Sequence, residues 1–375
     1  MPKKVLIVYA TGGMGHVSAA RAIESAFKQK YPEVEVNNID VIDYANTVYK
    51  KFFVDGYNYV SAKKPQMWGW LYKKFNNPNR QKLPTALSRL AIEGHFIPYV
   101  KKYNPDFIIS THPLPMRLIS HSKEANVIDI YSSMVVTDFG CHSFWVDKEV
   151  NYYFTATDDV GKCLQNYGVK PEQVVVTGIP VELKFSQELN RSELQAKFGL
   201  QRDLFTMLIV GGQFSFESLQ NVINSVELKH HGKVQFLVVA GRDKDLKEAI
   251  ESSDLKTKSN TKVFGFVSNM DELMTVSDVI FSKAGGLTVS ECMAKALPMI
   301  INKVIPGQEE DNVTYLVDKG AAVRVKDFNE VGGVVSELLA DPAKIALMRQ
   351  AAKSIGRPNS AIAVADFVLK KIAQK

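Results

Sequence analysis

The chain has 375 residues, enough for two domains each with its own core, and its 46% hydrophobic and 23% charged fractions are those of a soluble globular protein. Forty-six basic against 40 acidic residues give a net charge of +6 and a pI near 8.9, a mild excess that identifies no partner by itself. Apolar runs fall short of the ~20 residues that cross a bilayer, Val5–Tyr9 is too short for a signal-peptide core, and Cys141, Cys163 and Cys292 show neither a disulfide framework nor a zinc-knuckle spacing. A reducing, cytoplasmic setting with at most a peripheral membrane role is therefore expected.

Val5 to Tyr9 has the pattern of a buried strand, and Ala10-Thr-Gly-Gly-Met-Gly-His16 is the turn after it. Ala19, Ala20, Ile23 and Phe27 recur at helical spacing, and Val34 to Ile39 forms a second strand. This β-loop-α-β unit only approximates a dinucleotide fingerprint, since Ser18 stands at the third glycine position and His16 at the helix entry. The phosphate-loop pattern ending in Gly-Lys-Ser/Thr is absent.

From Tyr49 to Arg89 the texture changes. Lys50, Lys51, Lys63, Lys64, Lys73, Lys74, Arg80, Lys82 and Arg89 face one acid, Asp55, and alternate with aromatics that include Phe52, Tyr57, Trp68, Trp70 and Tyr72. Basic groups attract anionic headgroups and Trp and Tyr favour the headgroup boundary, so docking on an anionic membrane surface is the sharp expectation. An ordinary helical core with a solvated lysine face is the bland one. Nucleic acid ranks last, because no recognisable module accompanies the aromatics.

Further strands are expected at Asp106–Ser110, Ser133–Val136, Tyr152–Thr155 and Gln173–Thr177, with a helix over Asp158–Tyr167. Gly178 to about Leu200 looks like a crossing, after which strands recur at Phe205–Val210, Val234–Ala240, Val263–Phe266, Asp278–Ser282, Met299–Ile301 and Ala321–Val325. The end of the chain, from Asp327, is helical and broken near Gly356-Arg-Pro358. Two successive βα runs give an α/β fold of two Rossmann-like doubly wound domains facing a cleft. The expected division is residues 1–180, a linker 181–200, residues 201–355, and a final helix 356–375 that packs back on the first domain.

The stretch Ser282-Lys-Ala-Gly-Gly-Leu-Thr-Val-Ser-Glu291 reads as strand end, glycine turn and helix start. Gly285 and Gly286 lack a Cβ and precede unpaired helix N–H groups, which makes an anion site. The bland alternative is a plain turn with Thr288 and Glu291 as a capping box. Beyond it, Pro306-Gly-Gln-Glu309 and Asn312 gather side chains suited to sugar hydroxyls, so a nucleotide-sugar is suggested.

For chemistry, Asp138 and His16 each lie just past a strand of the first sheet, where a carboxylate could take a proton from an alcohol and a histidine could orient it. Both could instead be caps. His112 and His142 could line an acceptor pocket or cap turns. No three histidines share a metal-ligand spacing, and Asp243-Lys-Asp245 falls at a helix start where acids complement the dipole, so no metal is expected.

The motifs Gly12-Gly-Met-Gly-His16, Val136-Thr-Asp-Phe-x-x-His142-x-x-Trp145, Val176-Thr-Gly-Ile-Pro180, Gly265-Phe-Val267, Ser282-Lys-Ala-Gly-Gly286, Glu291 and Pro306-Gly-Gln-Glu309 run along nearly the whole chain. In this combination the sequence resembles glycosyltransferase family 28: the bacterial processive diacylglycerol glucosyltransferases, the plant monogalactosyldiacylglycerol synthases and, more distantly, the transferase that adds N-acetylglucosamine to lipid I. Ala284 stands where relatives often have proline, and Met14 lies in the glycine loop.

That resemblance implies a GT-B fold, an inverting mechanism and a UDP-sugar donor, with no cofactor. It implies that Phe266 and Val267 meet the uracil through the backbone, Gly285, Gly286 and Leu287 the phosphates, Glu291 the ribose, and Gln308 and Glu309 the sugar. Gly212 and Gln213 would close the phosphate side. Asp138 would be the base, with His16 beside it, and the basic aromatic insert would dock on the inner face of the cell membrane. The expected reaction is transfer of a hexose, glucose first, to the 3-hydroxyl of 1,2-diacylglycerol. A UDP-galactose-dependent monogalactosyldiacylglycerol synthase, a soluble UDP-sugar epimerase and a non-catalytic UDP-sugar sensor are the alternatives.

Overall fold

The structure, a computed structural model, describes residues 2–11, 13–51, 67, 69–70, 74, 76, 86–212, 214–255, 260–302, 304, 307 and 309–374. Most of the basic aromatic stretch therefore lies outside the described residues, as do Gly12, Gln213, Pro306 and Gln308.

The apolar runs of the first half become six parallel strands: β1 (Lys4–Tyr9), β2 (Glu35–Asp40), β3 (Phe107–Ser110), β4 (Tyr131–Val135), β5 (Tyr152–Thr155) and β6 (Val174–Val176). They lie in the order β2-β1-β3-β4-β5-β6. The second half supplies β7 (Phe205–Val210), β8 (Val234–Val239), β9 (Asn260–Phe264), β10 (Val279–Ser282), β11 (Met299–Ile301) and β12 (Ala322–Arg324), ordered β12-β11-β10-β7-β8-β9. All pairings are parallel, so helices cross both faces and the central strands are buried throughout and mostly apolar, as in β3 and β8. The strand over Asn260–Phe264 starts before its expected place at Val263, because Asn260 and Lys262 are exposed and hide its edge position from a search for apolar runs.

The second sheet has the Rossmann order, with its third, second and first strands leading the fourth to sixth. In the first sheet the order reverses one strand earlier, between β1 and β3. A ligand crevice opens at such a reversal, beyond the carboxyl ends of the strands. In this molecule there are two, after β1 and β3 in one sheet and after β7 and β10 in the other.

Each sheet is sandwiched between two apolar layers. Leu6, Val8, Ile92, Phe96 and Trp145 cover one face of the first sheet, and Val5, Ile7, Phe27 and Phe107 the other. The second face is completed from the far end of the chain: the helix Ser360–Ala373 inserts Ala361, Val364, Ala365, Val368 and Ile372 against Phe27 and its neighbours. Asp366 of this helix accepts hydrogen bonds from Lys30 Nζ and Tyr31 Oη, both at 2.7 Å. In the crossing, Val181, Phe185, Leu194 and Leu200 are buried in the core of the second sheet.

The cysteine expectation is corrected: Cys141, in the loop after β4, and Cys163, on the helix Asp158–Gln165, form a disulfide with Cα atoms 6.1 Å apart. Spacing in sequence could not reveal it, because the pairing depends on the loop after β4 reaching a helix that packs on β5 and β6. Cys292 is buried as a thiol. Among the described residues no helix is long and apolar enough to cross a membrane.

Phe27 is fully buried where the helix Met14–Lys30 meets the C-terminal helix. Phe27→Ala is expected to lower the unfolding free energy by about 3–5 kcal/mol through lost transfer energy and the cavity left behind. Denaturant melting followed by circular dichroism checks this, and a loss below about 1 kcal/mol would mean that the helix pair does not close this layer.

Candidate active site

The loop that leaves β4 carries Thr137, Asp138, Phe139 and Gly140 across to the second sheet. The Phe139 N–H donates to Asn312 Oδ1 at 2.7 Å, and the Phe139 ring stacks on Tyr315 with centroids 4.9 Å apart. Asp138 is only 6% exposed. Burial and then the neighbouring Glu309 carboxylate push its carboxyl up to about 7, against the opposing pull of an Asn312 hydrogen bond and Lys283. A carboxyl of that affinity exchanges its proton near neutral pH, the condition a general base requires.

His16 enters from the first turn of the helix after β1. Its Nδ1–H donates to the Thr111 carbonyl at 2.6 Å, and the Thr111 hydroxyl donates back to the His16 carbonyl at 2.9 Å. Nδ1 also lies 3.3 Å from Thr137 Oγ1. Burial holds the imidazole down at about 4, so it is neutral at physiological pH with Nε2 as the acceptor nitrogen. The expected partnership is thus altered. The His16 ring is bonded to the Thr111 carbonyl and lies beside Thr137, the residue before Asp138, as a neutral group.

His112 and His142 follow the bland expectation. Each accepts through Nδ1 from a backbone N–H two residues on, Leu114 and Phe144 respectively, at 3.0 Å, and so caps the turn it begins. His112 also meets the His16 ring edge-on at 4.6 Å.

Opposite them, β10 runs into the helix Gly286–Ala294, whose N-cap is Gly285. No side chain caps this end, so its first N–H groups are uncommitted within the helix and the capping-box reading of Thr288 and Glu291 does not hold. The two glycines prove to have different reasons. A Cβ at Gly285 would meet nothing closer than Lys283 Nζ at 3.4 Å, so its backbone is approachable. A Cβ at Gly286 would stand 2.1 Å from the Thr137 carbonyl oxygen. At Gly286 the missing side chain also makes room for the Thr137 carbonyl of the first domain, a constraint beyond ligand access. Leu287 lies beside Gly15 of the first glycine loop, 3.9 Å from where its Cβ would be.

Around this helix start, Lys283 Nζ pairs with the buried Glu309 at 2.7 Å. Glu291 is partly buried on the second turn, where burial and then Glu182 push its carboxyl up to about 8. Gly212 lies exposed at the carboxyl end of β7, beside the reversal point. Past β9, Phe266 is 67% exposed with the Arg242 guanidinium 5.3 Å above its ring, and Val267 is partly buried behind it. Asp243 caps its helix by accepting from Leu246 N at 2.9 Å.

Two family models divide the chain between them. The monogalactosyldiacylglycerol synthase model matches residues 16–181, and the glycosyltransferase family 28 C-terminal domain matches residues 206–362. The processive diacylglycerol beta-glucosyltransferase of Bacillus mycoides (strain KBAB4) is 34% identical over 98% of this chain and 93% of its own length. The chain belongs to the diacylglycerol glucosyltransferase family. The fold is likewise that of solved two-domain enzymes. Acinetobacter baumannii MurG matches with a TM-score of 0.60 at 16% identity over 98% of this chain and all of its own. The UDP-GlcNAc 2-epimerase of Neisseria meningitidis, bound to UDP-GlcNAc, matches at 0.63 with 14% identity over the same shares. Two sheets of the GT-B type are therefore this family member's architecture.

Two residues of this diacylglycerol glucosyltransferase relative, Lys184 and Arg242, escape a reading of motifs, and a third that it names, Asn312, takes another place. Lys184, in the crossing, donates to the Ser268 carbonyl at 2.9 Å and pairs with Glu182 at 2.7 Å, which sets both beside the Glu291 region. Arg242 follows β8, far in sequence from the Phe266 it covers. Asn312, grouped by its sequence position with the sugar readers, is fully buried instead. Only a charged residue at the end of β8 could have signalled Arg242, and charged residues at strand ends are common.

Gly286→Ala is expected to destabilise the protein by about 1–3 kcal/mol, because a methyl group must displace the Thr137 carbonyl. Gly285→Ala has open space and is expected to cost less than about 1 kcal/mol. Thermal melting of both variants checks the contrast, and equal losses would remove the distinction between the two positions.

Proposed function

We propose that this chain transfers a hexose, glucose before galactose, from a UDP-sugar to the 3-hydroxyl of 1,2-diacylglycerol with inversion at the anomeric carbon. The observation that carries the reading is the meeting of a buried carboxyl balanced near neutrality, Asp138, with an uncapped helix N-terminus at Gly285 on the facing sheet. The first suits an alcohol that must lose a proton as it attacks. The second suits a pyrophosphate that gains charge as it leaves.

In this reading the acceptor oxygen attacks the anomeric carbon from the first-domain side while Asp138 takes its proton. The bond from the sugar to the UDP oxygen breaks on the opposite side, which inverts the centre. The N–H groups at Gly286 and Leu287 and the ammonium of Lys283 stabilise the departing charge, aided by the roughly half positive charge of a helix N-terminus. Gly212 borders the phosphates, with Gln213 beside it in sequence. Glu291 receives the ribose, Phe266 and Val267 the uracil, and Glu309, held by Lys283, with Gln308 the sugar hydroxyls. Neutral His16 fixes the loop that carries the base.

The division into residues 1–180, a linker 181–200, residues 201–355 and a returning helix 356–375 belongs to the same proposal. The separate cores of the two sheets and the packing of Ser360–Ala373 on the first support it. So does attachment to the inner, cytoplasmic face of an anionic membrane. Around the basic aromatic stretch, Val48, Trp70, Leu87 and Leu90 are exposed, and Lys74 lies over the Trp70 ring at 4.4 Å.

With labelled UDP-glucose or UDP-galactose and diacylglycerol in acidic vesicles, glycolipid is expected with the first donor above all. Glycolipid only from UDP-galactose would select the galactosyl alternative, and a donor isomerised without lipid would select an epimerase. Asp138→Asn should lower kcat by about 100-fold or more, and near-wild-type turnover would reject Asp138 as base.

The pH dependence follows from the same carboxyl. The base must be ionised, so kcat/KM is expected to rise from acid pH and level off above a midpoint near 7. A midpoint near 4 would place the base elsewhere. Sedimentation with vesicles at low salt should recover more protein with acidic than with neutral lipid. Equal recovery would remove electrostatic docking.

A further inference from the structure

We propose that Asn312 is a positioning residue for the transfer, locking the loop of the base Asp138 in the first sheet to the glycine loop of the leaving-group site in the second. Asn312 lies on the helix Glu310–Asp318 and is fully buried. Its Oδ1 accepts from the Phe139 N–H at 2.7 Å, one residue past the base. Its Nδ2 donates to the Ala284 carbonyl at 2.8 Å, one residue before Gly285. The same amide, next to the base in this packing, favours the ionised form of the Asp138 carboxyl. A side-chain amide has donors and an acceptor at one end, and this fully buried one commits its oxygen to the loop of the first domain and an N–H to the loop of the second.

The surroundings make the lock specific. Gly140 fits where a Cβ would stand 2.0 Å from Asp311 Oδ2, Tyr315 stacks on Phe139, and Gly286 accommodates the Thr137 carbonyl. The backbone on either side of Asp138 is thus seated on the second domain, and the Asn312 side chain bonds both loops. A shift of about 1 Å at such a point can cost on the order of 100-fold in rate.

The charged groups that face Asp138 are Glu309 and Asp311, which oppose its ionisation, and Lys283, which favours it; from the first sheet His16 approaches as a neutral ring. Against the two carboxylates, the Asn312 N–H favours the ionised form. Asn312→Asp keeps an acceptor for Phe139 but loses both donors and adds a third neighbouring carboxylate. Asn312→Leu keeps the size and loses both bonds and the polar amide beside Asp138. Both raise the titration midpoint of Asp138, the first by more.

The inference takes its chemical meaning from the transferase reading, and its test separates the two. The full-length protein, with 13C-carboxyl aspartate and Asp138→Asn for assignment, is titrated by NMR. In parallel, kcat and KM for UDP-glucose are measured against pH in vesicles containing diacylglycerol. Asn312→Asp is expected to move the Asp138 midpoint and the acid limb of kcat upward together by about one pH unit or more, a tenfold loss of base form below the midpoint, while KM for UDP-glucose changes less than about threefold.

Midpoints and acid limbs unchanged in both folded variants would overturn the lock, as would a tenfold rise in KM with kcat intact, which marks a donor contact. Asn312→Ser replaces the leucine variant should that one not fold. A wild-type protein that transfers no hexose would reject the transferase reading alone; the carboxyl titration, which needs no turnover, still decides whether Asn312 serves Asp138.

Discussion

The carboxyl edges of two parallel sheets meet at a contact that admits no side chain, the Thr137 carbonyl against Gly286. Much else at the centre of the molecule follows from that closeness. It brings Asp138 under the second domain, excludes water from its carboxyl and sets Glu309 and Lys283 around it. The same approach seats Phe139 on Tyr315 and Gly140 on Asp311.

Electrostatics at this meeting point divide the two titratable candidates. Desolvation penalises the charged form of each group, so it raises a carboxyl and lowers an imidazole. Asp138 is held at the edge of ionisation and His16 is held neutral. The histidine is then fastened by the Thr111 carbonyl and hydroxyl and turned toward Thr137, a role in geometry rather than in charge. A poised acid on a loop beside a neutral ring differs from two partners sharing a proton, and its ionisation needs no titration of the histidine.

The C-terminal helix ties the fold together from the other side. Residues Ala361 to Ile372 complete a layer on the first sheet although they follow the whole second sheet in sequence. Any relative movement of the two sheets must either carry this helix along or bend the chain near Gly356, and Gly356 itself packs where a Cβ would stand 2.3 Å from the Met293 carbonyl oxygen. The crossing near residues 181–200 is likewise packed rather than loose, with Phe185 and Leu194 in the second core and Lys184 bonded to Ser268.

The sequence by itself determined the twelve-strand βα alternation, its division into two runs and the loops at which chemistry gathers, because buried parallel strands are written locally as short apolar runs ended by glycine and polar residues. It also singled out Asp138, Gly285 and Glu291 through motifs. Only the tertiary structure decided that Gly286 serves a domain contact, that Asn312 is buried and bonded to two loops, that His16 lies beside Thr137, and that Cys141 meets Cys163. Each of these depends on groups distant in sequence that come within a few ångströms only after the sheets have closed. Local pattern records which side of an element is apolar, whereas the partner of a buried polar group and the proton affinity it acquires are set by neighbours that the chain supplies from elsewhere.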